Sequence, residues 1–171
     1  MSEKNKALVL GKGGFGAELG ELLTAAGWQI AYLDDAAPGC LGNLAAYADP
    51  AVRAAYPAAF VGIGDNALRV SLLQKLAAGG YSTPTFVHSA SVVCPSAALG
   101  AGSVVLPFAF VGAGAVLGQG CIVNAGALID HNAALGAGVH AAPGAIIKAG
   151  AVVSDFAKVA SGAVVRSPWE T

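Results

Sequence analysis

Charge is scarce in this chain. Of its 171 residues only 11% are charged, and positions 76–129 contain no Asp, Glu, Lys or Arg. The formal net charge is -1, so the sequence lacks the excess of basic residues that binding to nucleic acid or to an acidic membrane requires. We therefore expect neither nucleic acid nor a membrane surface as a partner.

Metal ligands and membrane signals are also sparse. The chain has three cysteines and three histidines, which are Cys40, Cys94, Cys121, His88, His131 and His140. Their spacing matches no metal or disulfide pattern, so we expect no metal. The first ten residues lack the long apolar run of a signal peptide, and glycine and proline interrupt the uncharged stretch. We therefore expect a cytoplasmic protein without a membrane span.

Glycine, by contrast, is abundant, with 24 residues. Thirteen six-residue units follow one another over positions 87–164, and each opens with an aliphatic residue. The openers are Val87, Val93, Leu99, Val105, Val111, Leu117, Val123, Ile129, Leu135, Ala141, Ile147, Val153 and Val159. The fifth position of each unit holds a small residue or valine, which suits an inward-facing slot with little room.

The fourth position of the units is mostly glycine, as at Gly102, Gly114 and Gly150. Glycine adopts positive φ at little steric cost, so each unit predicts a short strand followed by a bend. A strand and a bend that recur every six residues are typical of a parallel β-helix, with three units per coil and about four and a third coils here. Because its outer faces are uncharged, we expect subunits to cover one another in a homotrimer.

Residues 1–85 follow a different pattern and predict a Rossmann-like βαβ domain, ahead of a β-helix domain at 86–171. The predicted elements are strands at 6–10, 28–33 and 60–63 and helices at 17–26 and 66–78. The domain is too short for the two mononucleotide halves of a dinucleotide-binding fold. A nicotinamide dehydrogenase is therefore not expected, whereas a single nucleotide-type ligand fits.

A glycine-rich turn, residues 11–16, joins the first strand to the first helix. Glycines let backbone N–H groups approach an anion at a helix N-terminus, where the helix dipole is positive. Asp34 and Asp35 end the second strand and can accept hydrogen bonds from a sugar or a base. The alternative is that both aspartates only cap a turn.

Two histidines lie in neighbouring six-residue units of the predicted β-helix. His131 occupies the third, outward-facing position of its unit, between Asp130 and Asn132, and His140 follows half a coil later. An exposed histidine titrates near neutral pH and can accept a proton from an amine or a hydroxyl. The alternative is a hydrogen bond across a subunit interface.

Together, these features resemble the bacterial sugar O/N-acyltransferase family, which includes sialic acid O-acetyltransferases and N-acetyltransferases of UDP-linked 4-amino-sugars. The resemblance spans nearly the whole chain. It is carried by the glycine turn, the acidic pair, the stretch 63–66 with Arg69, Asn124, the triplet 130–132 and His140. The family implies a left-handed β-helix and a trimer with active sites between subunits.

The resemblance also implies roles for individual residues. His131 corresponds to the general base, with Asn132 beside it, and His140, Ala149 and Lys158 correspond to contacts with acetyl-CoA, the backbone N–H of Ala149 meeting the thioester carbonyl. The residues implied in holding the nucleotide-sugar are Gly13, Gly14, Phe15, Asp34, Asp35, Gly64, Asn66 and Asn124.

Two positions and the C-terminal segment depart from the family pattern. Phe15 stands where the turn usually carries histidine, and Asn132 stands where the base is usually followed by Glu or Asp. An amide can orient the histidine ring but cannot supply a charge. The usual closing glycine-proline-alanine-basic sequence is replaced by residues 166–171, which read RSPWET.

The leading hypothesis is an acetyl-CoA-dependent N-acetyltransferase that acts on the 4-amino group of a UDP-linked amino-sugar in bacterial glycan biosynthesis. An O-acetyltransferase of a free sugar such as sialic acid is the first alternative. The second is a non-catalytic oligomer that keeps the β-helix but has lost the charged partner of the base.

Overall fold

A computed structural model describes residues 5–169, in two compact units divided between Pro84 and Thr85. Residues 1–4 and the last two residues, Glu170 and Thr171, lie outside the described residues. The first group belongs to the N-terminal segment in which no signal peptide is expected, and the second ends the unusual C-terminal sequence. Within 5–169, none of the helices combines the length and apolar character needed to cross a bilayer.

The first unit is a three-stranded parallel sheet in the order β2-β1-β3 with helices between its strands. Its elements are β1 (Lys6–Leu10), α1 (Gly14–Ala25), β2 (Gln29–Leu33), a 3₁₀ helix (Leu44–Ala48), α2 (Pro50–Ala55), β3 (Ala58–Val61) and α3 (Asn66–Ala78). The predicted Rossmann-like βαβ arrangement is confirmed.

The boundaries of α1, β2 and β3 differ from the sequence predictions by one to three residues: α1 ends one residue earlier, at Ala25, β2 begins one residue later, at Gln29, and β3 begins two residues earlier, at Ala58. Helix α1 begins at Gly14, three residues before the predicted start, because the glycine turn already has helical geometry there. Strand β3 ends at Val61, two residues before the predicted end. The 3₁₀ helix and α2 were not predicted, because helices of five and six residues are too short to show an apolar period.

Strand β1 forms the centre of the first unit and is buried from Ala7 to Leu10. Glycines allow α1 to pack closely on the ends of the strands. A Cβ at Gly16 would collide with the carbonyl oxygen of Gly11 and would lie 2.9 Å from that of Gly62. This approach places the start of α1 directly beside the ends of β1 and β3.

The second unit is the predicted parallel β-helix. Its fourteen two-residue strands are β4 (Phe86–Val87), β5 (Val92–Val93), β6 (Ala98–Leu99), β7 (Val104–Val105), β8 (Phe110–Val111), β9 (Val116–Leu117), β10 (Ile122–Val123), β11 (Leu128–Ile129), β12 (Ala134–Leu135), β13 (His140–Ala141), β14 (Ile146–Ile147), β15 (Val152–Val153), β16 (Lys158–Val159) and β17 (Val164–Val165).

These strands form three parallel sheets, in which every strand pairs with the strand 18 residues away. One sheet holds β4, β7, β10, β13 and β16, a second holds β5, β8, β11, β14 and β17, and a third holds β6, β9, β12 and β15. The unit openers and the fifth-position residues point inward and form one apolar column from Val105 to Val159.

The bends between strands follow the predicted glycine positions. All eight glycines at position four, from Gly102 to Gly162, have φ between 65° and 69°. The same slot holds Phe108, Asn132 and Phe156, with φ of 62°, 57° and 59°. Asparagine tolerates this conformation, whereas a phenylalanine there costs about 1–2 kcal/mol. The repeat geometry therefore overrides residue preference at Phe108 and Phe156.

Candidate active site

A cleft in the first unit gathers most of the residues that the resemblance assigns to nucleotide-sugar binding. It encloses about 420 Å³ where β1 and β3 end and α1 begins. Its walls include Gly13, Gly14, Phe15, Asp34, Asp35 and Gly64. Gly13 caps α1 without a side-chain hydrogen bond, so the first N–H groups of this helix face a site suited to an anion.

Both carboxylate oxygens of Asp34 accept hydrogen bonds from the backbone of the loops around this cleft. Its Oδ2 accepts from the backbone N–H of Lys12 at 2.7 Å, and its Oδ1 accepts from those of Ala36 and Ala37 at 2.9 and 2.8 Å. The Lys12 bond, followed by the other two, lowers the pKa of Asp34 below its ordinary value. Asp34 therefore caps the turn at the end of β2, and a role in holding a nucleotide-sugar stays a prediction.

Asp35 retains more freedom. Its Oδ1 accepts from the backbone N–H of Leu44 at 2.8 Å and fixes the start of the 3₁₀ helix. Its other oxygen makes no hydrogen bond to any of the residues that the structure describes. Asp35 is therefore the better placed of the two aspartates to accept a hydrogen bond from a ligand.

Arg69 supports the loop that closes the cleft. This side chain is 1% exposed, and its Nη1 donates to the carbonyl oxygen of Ile63 at 3.0 Å. Its Nη2 donates to Oδ1 of Asn66 at 2.8 Å. Asn66 is absent from the cleft wall and instead anchors this support. Sequence reasoning noted Arg69 but assigned it no role, because burial of an arginine leaves no local signal.

His131 lies on the corner between β11 and β12. It is exposed, its backbone N–H donates to Asp130 Oδ1 at 2.7 Å, and its Nδ1 lies 3.1 Å from Nδ2 of Asn132. Asp130 thus binds the backbone next to the ring and leaves the imidazole to Asn132. The positive φ of Asn132 turns its amide back toward the ring.

Ala149 lies one coil beyond His131 on the same corner. The backbone N–H of the next residue, Gly150, donates to the carbonyl oxygen of His131 at 3.1 Å, which ties the two coils together. On the lower coil Asp130 occupies the N–H of His131, but the equivalent position beside Ala149 is Lys148, which cannot accept. Among residues 5–169 nothing accepts from the N–H of Ala149, so it remains available to a ligand.

Asn124 and His140 meet on another edge of the β-helix. Asn124 follows β10, and its Nδ2 lies 3.3 Å from Nε2 of His140, while its Oδ1 accepts from the N–H of Ala125 at 2.7 Å. His140 begins β13 and pairs in register with Lys158 in β16. The structure thus groups Asn124, His140 and Lys158, and separates them from His131 and Ala149 by the strands β11 and β14.

No cluster in the described residues has the composition of a metal site. No three His, Cys, Asp or Glu side chains come together there in a ligand arrangement.

Comparisons with known proteins extend over nearly the whole chain. The PglD N-terminal domain family matches residues 6–76. The acetyltransferase domain of PglB from Neisseria gonorrhoeae FA1090, solved with acetyl coenzyme A, is 32% identical with a TM-score of 0.86, covering 95% of this chain and 82% of that one. The chain belongs to the bacterial sugar O/N-acyltransferase family.

Two further solved structures come from Caulobacter crescentus. A histidine-to-asparagine mutant of perosamine N-acetyltransferase, in complex with CoA and GDP-perosamine, is 31% identical with a TM-score of 0.83, covering 90% of this chain and 76% of that one. PerB, in complex with the same two ligands, is 29% identical with a TM-score of 0.79, covering 94% and 88%. Among curated proteins no significant match was found.

These findings confirm the predicted family, and the structure of this acyltransferase confirms its fold class. The roles assigned to individual residues stay predictions.

Proposed function

We propose that this acyltransferase transfers the acetyl group of acetyl-CoA to the 4-amino group of a UDP-linked amino-sugar in bacterial glycan biosynthesis. The observation that carries the proposal is the corner of His131 and Ala149. It offers an exposed imidazole and, one coil away, a backbone N–H without an acceptor. A base and an oxyanion donor on one edge are the two groups that direct acyl transfer from a thioester needs.

The proposed reaction is a single displacement at the thioester carbonyl. The amine nitrogen attacks the carbonyl carbon and forms the new C–N bond, and Nε2 of His131 accepts the proton that the nitrogen loses. The N–H of Ala149 donates to the oxyanion that develops on the carbonyl oxygen. The intermediate collapses with cleavage of the C–S bond, and coenzyme A leaves as a thiolate that takes up a proton.

The tautomer of His131 sets a condition on Asn132. Nε2 can accept a proton only when Nδ1 carries the ring hydrogen, so the group facing Nδ1 must be an acceptor. Rotation of the Asn132 amide by half a turn exchanges its nitrogen for its oxygen at this place. Asn132 then orients the neutral base, although it supplies no charge to stabilise the imidazolium.

The second half of the site comes, in this proposal, from a neighbouring copy in a homotrimer. The outward residues of β5, β8, β11, β14 and β17 are Val92, Phe110, Leu128, Ile146 and Val164, an apolar column in register. Val92 is 58% exposed and Val164 is 49% exposed. Such an apolar face on a regular sheet suits a subunit interface.

The proposed trimer completes the site through the two edges of this face. These edges are the corner of His131 and the corner that follows Asn124. Around a threefold axis one edge of each face meets the opposite edge of the next subunit. His131 and Ala149 of one subunit are then adjacent to Asn124 and His140 of its neighbour, and Lys158 can bind a phosphate of coenzyme A.

The cleft of the first unit supports a nucleotide-linked substrate. The N-terminus of α1 suits the diphosphate, and Asp35 can accept a hydrogen bond from the sugar or the base. A GDP-linked amino-sugar is the second candidate, because the similar perosamine N-acetyltransferase was solved with GDP-perosamine.

An acetyl-transfer assay tests the proposal. The full chain is mixed with acetyl-CoA and a UDP-linked 4-amino-sugar, its GDP-linked counterpart or sialic acid, and free thiol and the mass of the sugar are measured. We expect thiol and acetylated amino-sugar in equal amounts with the UDP-linked compound.

His131→Ala should lower kcat by about 10²-fold, and the control His88→Ala should stay within about threefold of wild type. Transfer to sialic acid alone contradicts the proposed acceptor, and a wild-type rate in His131→Ala contradicts the proposed base.

A further inference from the structure

Trp169 lies beside the corner assigned to the thioester. After β17 the chain turns, and the backbone N–H of Trp169 donates to Oγ of the buried Ser167 at 3.2 Å. The indole ring lies over Gly150, since a Cβ there would collide with the ring and would be 2.7 Å from its Cζ3 atom. The indole therefore packs directly on the backbone of Gly150, which has no side chain and a φ of 67°.

The ring is not part of the β-helix core. Trp169 is 68% exposed, so most of the indole surface faces away from Gly150. A large aromatic side chain held in place with much of its surface open is typical of a residue that contacts a ligand or partner.

The neighbour of Gly150 is Ala149, whose N–H makes no hydrogen bond within the described residues. If this N–H holds the thioester carbonyl and the amine approaches from the side of His131, one coil away, the atoms next to the sulfur extend in the opposite direction, past Gly150 toward Trp169. Those atoms are the pantetheine arm of coenzyme A, a flexible chain with apolar segments between its amides. The indole offers a large exposed apolar surface beside Gly150.

We propose that Trp169 forms a wall of the acetyl-CoA site and binds the pantetheine arm next to the thioester. This inference rests on the proposed function, because it takes the position of the carbonyl from it. Contact with the arm is made equally by acetyl-CoA and by the transition state, so Trp169 contributes to binding of the co-substrate and not to the chemical step.

The chain has only two tryptophans, which makes the contact observable. Trp28 belongs to the first unit, where its ring meets Phe60 edge to face at 5.1 Å. In the variant Trp28→Phe all indole emission comes from Trp169. Titration with coenzyme A should shift or quench this emission, with the same midpoint that calorimetry gives for binding.

Kinetics supply the second readout. Trp169→Ala should raise the KM for acetyl-CoA about tenfold, as expected when an aromatic contact of about 1.4 kcal/mol is lost. Its kcat and its KM for the amino-sugar should stay within about threefold of wild type, and Trp169→Phe should keep most of the affinity.

The outcomes separate this inference from the proposed function. Coenzyme A that binds by calorimetry without changing the emission of Trp169, or a wild-type KM in Trp169→Ala, overturns the inference and leaves the proposed function intact. A lower melting temperature with an unchanged KM shows that Trp169 only closes the end of the β-helix, and also overturns it. Absence of both coenzyme A binding and thiol release in the wild-type protein overturns both.

Discussion

The two units of this protein hold their candidate functional groups in different ways. In the β-helix a six-residue period decides where each side chain points, so His131 and Ala149 take their places from the repeat itself. In the first unit the cleft depends on individual bonds between side chains and distant backbone, such as that from Lys12 to Asp34. The β-helix site is thus set by periodicity, and the cleft by a few specific contacts.

The two units are therefore sensitive to different kinds of substitution. A regular solenoid spreads its stability over repeated neighbour contacts, but a change that shifts one coil also moves every group on the corner above it. The cleft has no such repetition, so a single glycine or carboxylate can decide its shape. Substitutions in the two units should therefore produce separable effects on catalysis and on nucleotide-sugar binding.

The largest effect is expected when the coil beneath His131 is displaced. A Cβ at Gly112 would lie 2.6 Å from the backbone nitrogen of His131 and 2.8 Å from the carbonyl carbon of Asp130. Gly112→Ala should therefore shift His131, the proposed base, and lower kcat by about 10²-fold, with a loss of about 1–3 kcal/mol in the free energy of unfolding.

Gly162→Ala is the matched control for this substitution. Gly162 has φ of 68° and no atom within 4 Å of an added Cβ, so alanine there adds backbone strain without a collision. It should lower the melting temperature and leave kcat within about threefold of wild type. Equal losses of kcat in the two variants would show that displacement of the His131 corner is not what matters.

The next effect concerns the glycine turn of the first unit. Gly16→Ala should push α1 away from Gly11 and Gly62 and raise the KM for the nucleotide-sugar at least tenfold, through loss of the cleft geometry. The affinity for coenzyme A, measured by calorimetry, should remain within about twofold.

Gly14→Ala provides the comparison, because an added Cβ at Gly14 meets nothing within 4 Å. The first unit should then keep its melting temperature, and any rise in the KM for the nucleotide-sugar should be smaller than in Gly16→Ala. A parallel loss of coenzyme A affinity in Gly16→Ala would contradict the separation of the two functions.

A smaller effect is expected when Asn132 is replaced by aspartate, one of the two residues that are usual in the family at this position. In Asn132→Asp a carboxylate faces Nδ1 of His131 and stabilises the imidazolium that forms during transfer. Aspartate tolerates the positive φ of this position. We expect kcat to rise about three- to tenfold and the acid limb of the pH profile to move to higher pH. A pH profile identical to that of wild type would mean that the ring does not depend on its neighbour.

The smallest effect is expected for the contribution of Asp34 to the melting temperature, which should depend on pH. The pKa of Asp34 is lowered in the folded protein, so its contribution to stability is present above the ordinary pKa and is lost as pH falls through the lowered value. The melting temperature of wild type should exceed that of Asp34→Asn by at most a few degrees at pH 7, and the difference should shrink below about pH 4.

Emission of Trp28 in a Trp169→Phe background reports the first unit for this measurement. If the melting temperatures of wild type and Asp34→Asn differ by the same amount at low pH as at pH 7, the charge of the Asp34 carboxylate has no part in holding the loop.

Periodicity made the β-helix predictable from the sequence, because every inward residue repeats at six and the bends require positive φ. The occupants of those bends were less predictable, as Phe108 and Phe156 show. In the first unit the helix at 66–78 was predicted correctly, whereas the start of α1 at Gly14 was not.

The local bonds of the candidate site could not be predicted. Nothing in the sequence indicates that both oxygens of Asp34 bind loop backbone, or that Arg69 is buried beneath Asn66. Such bonds join residues through folded geometry, and neither composition nor spacing encodes them. The indole of Trp169 over Gly150 is of the same kind.

Subunit complementation tests whether His131 of one copy acts together with His140 of the next. His131→Ala and His140→Ala are prepared separately, each expected to lose at least about tenfold in kcat, then unfolded, mixed in equal amounts and refolded. Mass spectrometry measures the fraction of mixed trimers, and thiol release measures their activity.

If the site lies between subunits, about one site in four of the randomly mixed trimers combines an intact His131 with an intact neighbouring His140. The mixture should then recover about a quarter of the wild-type rate. Mixed trimers that form but show no more activity than the average of the two parents would contradict the shared site.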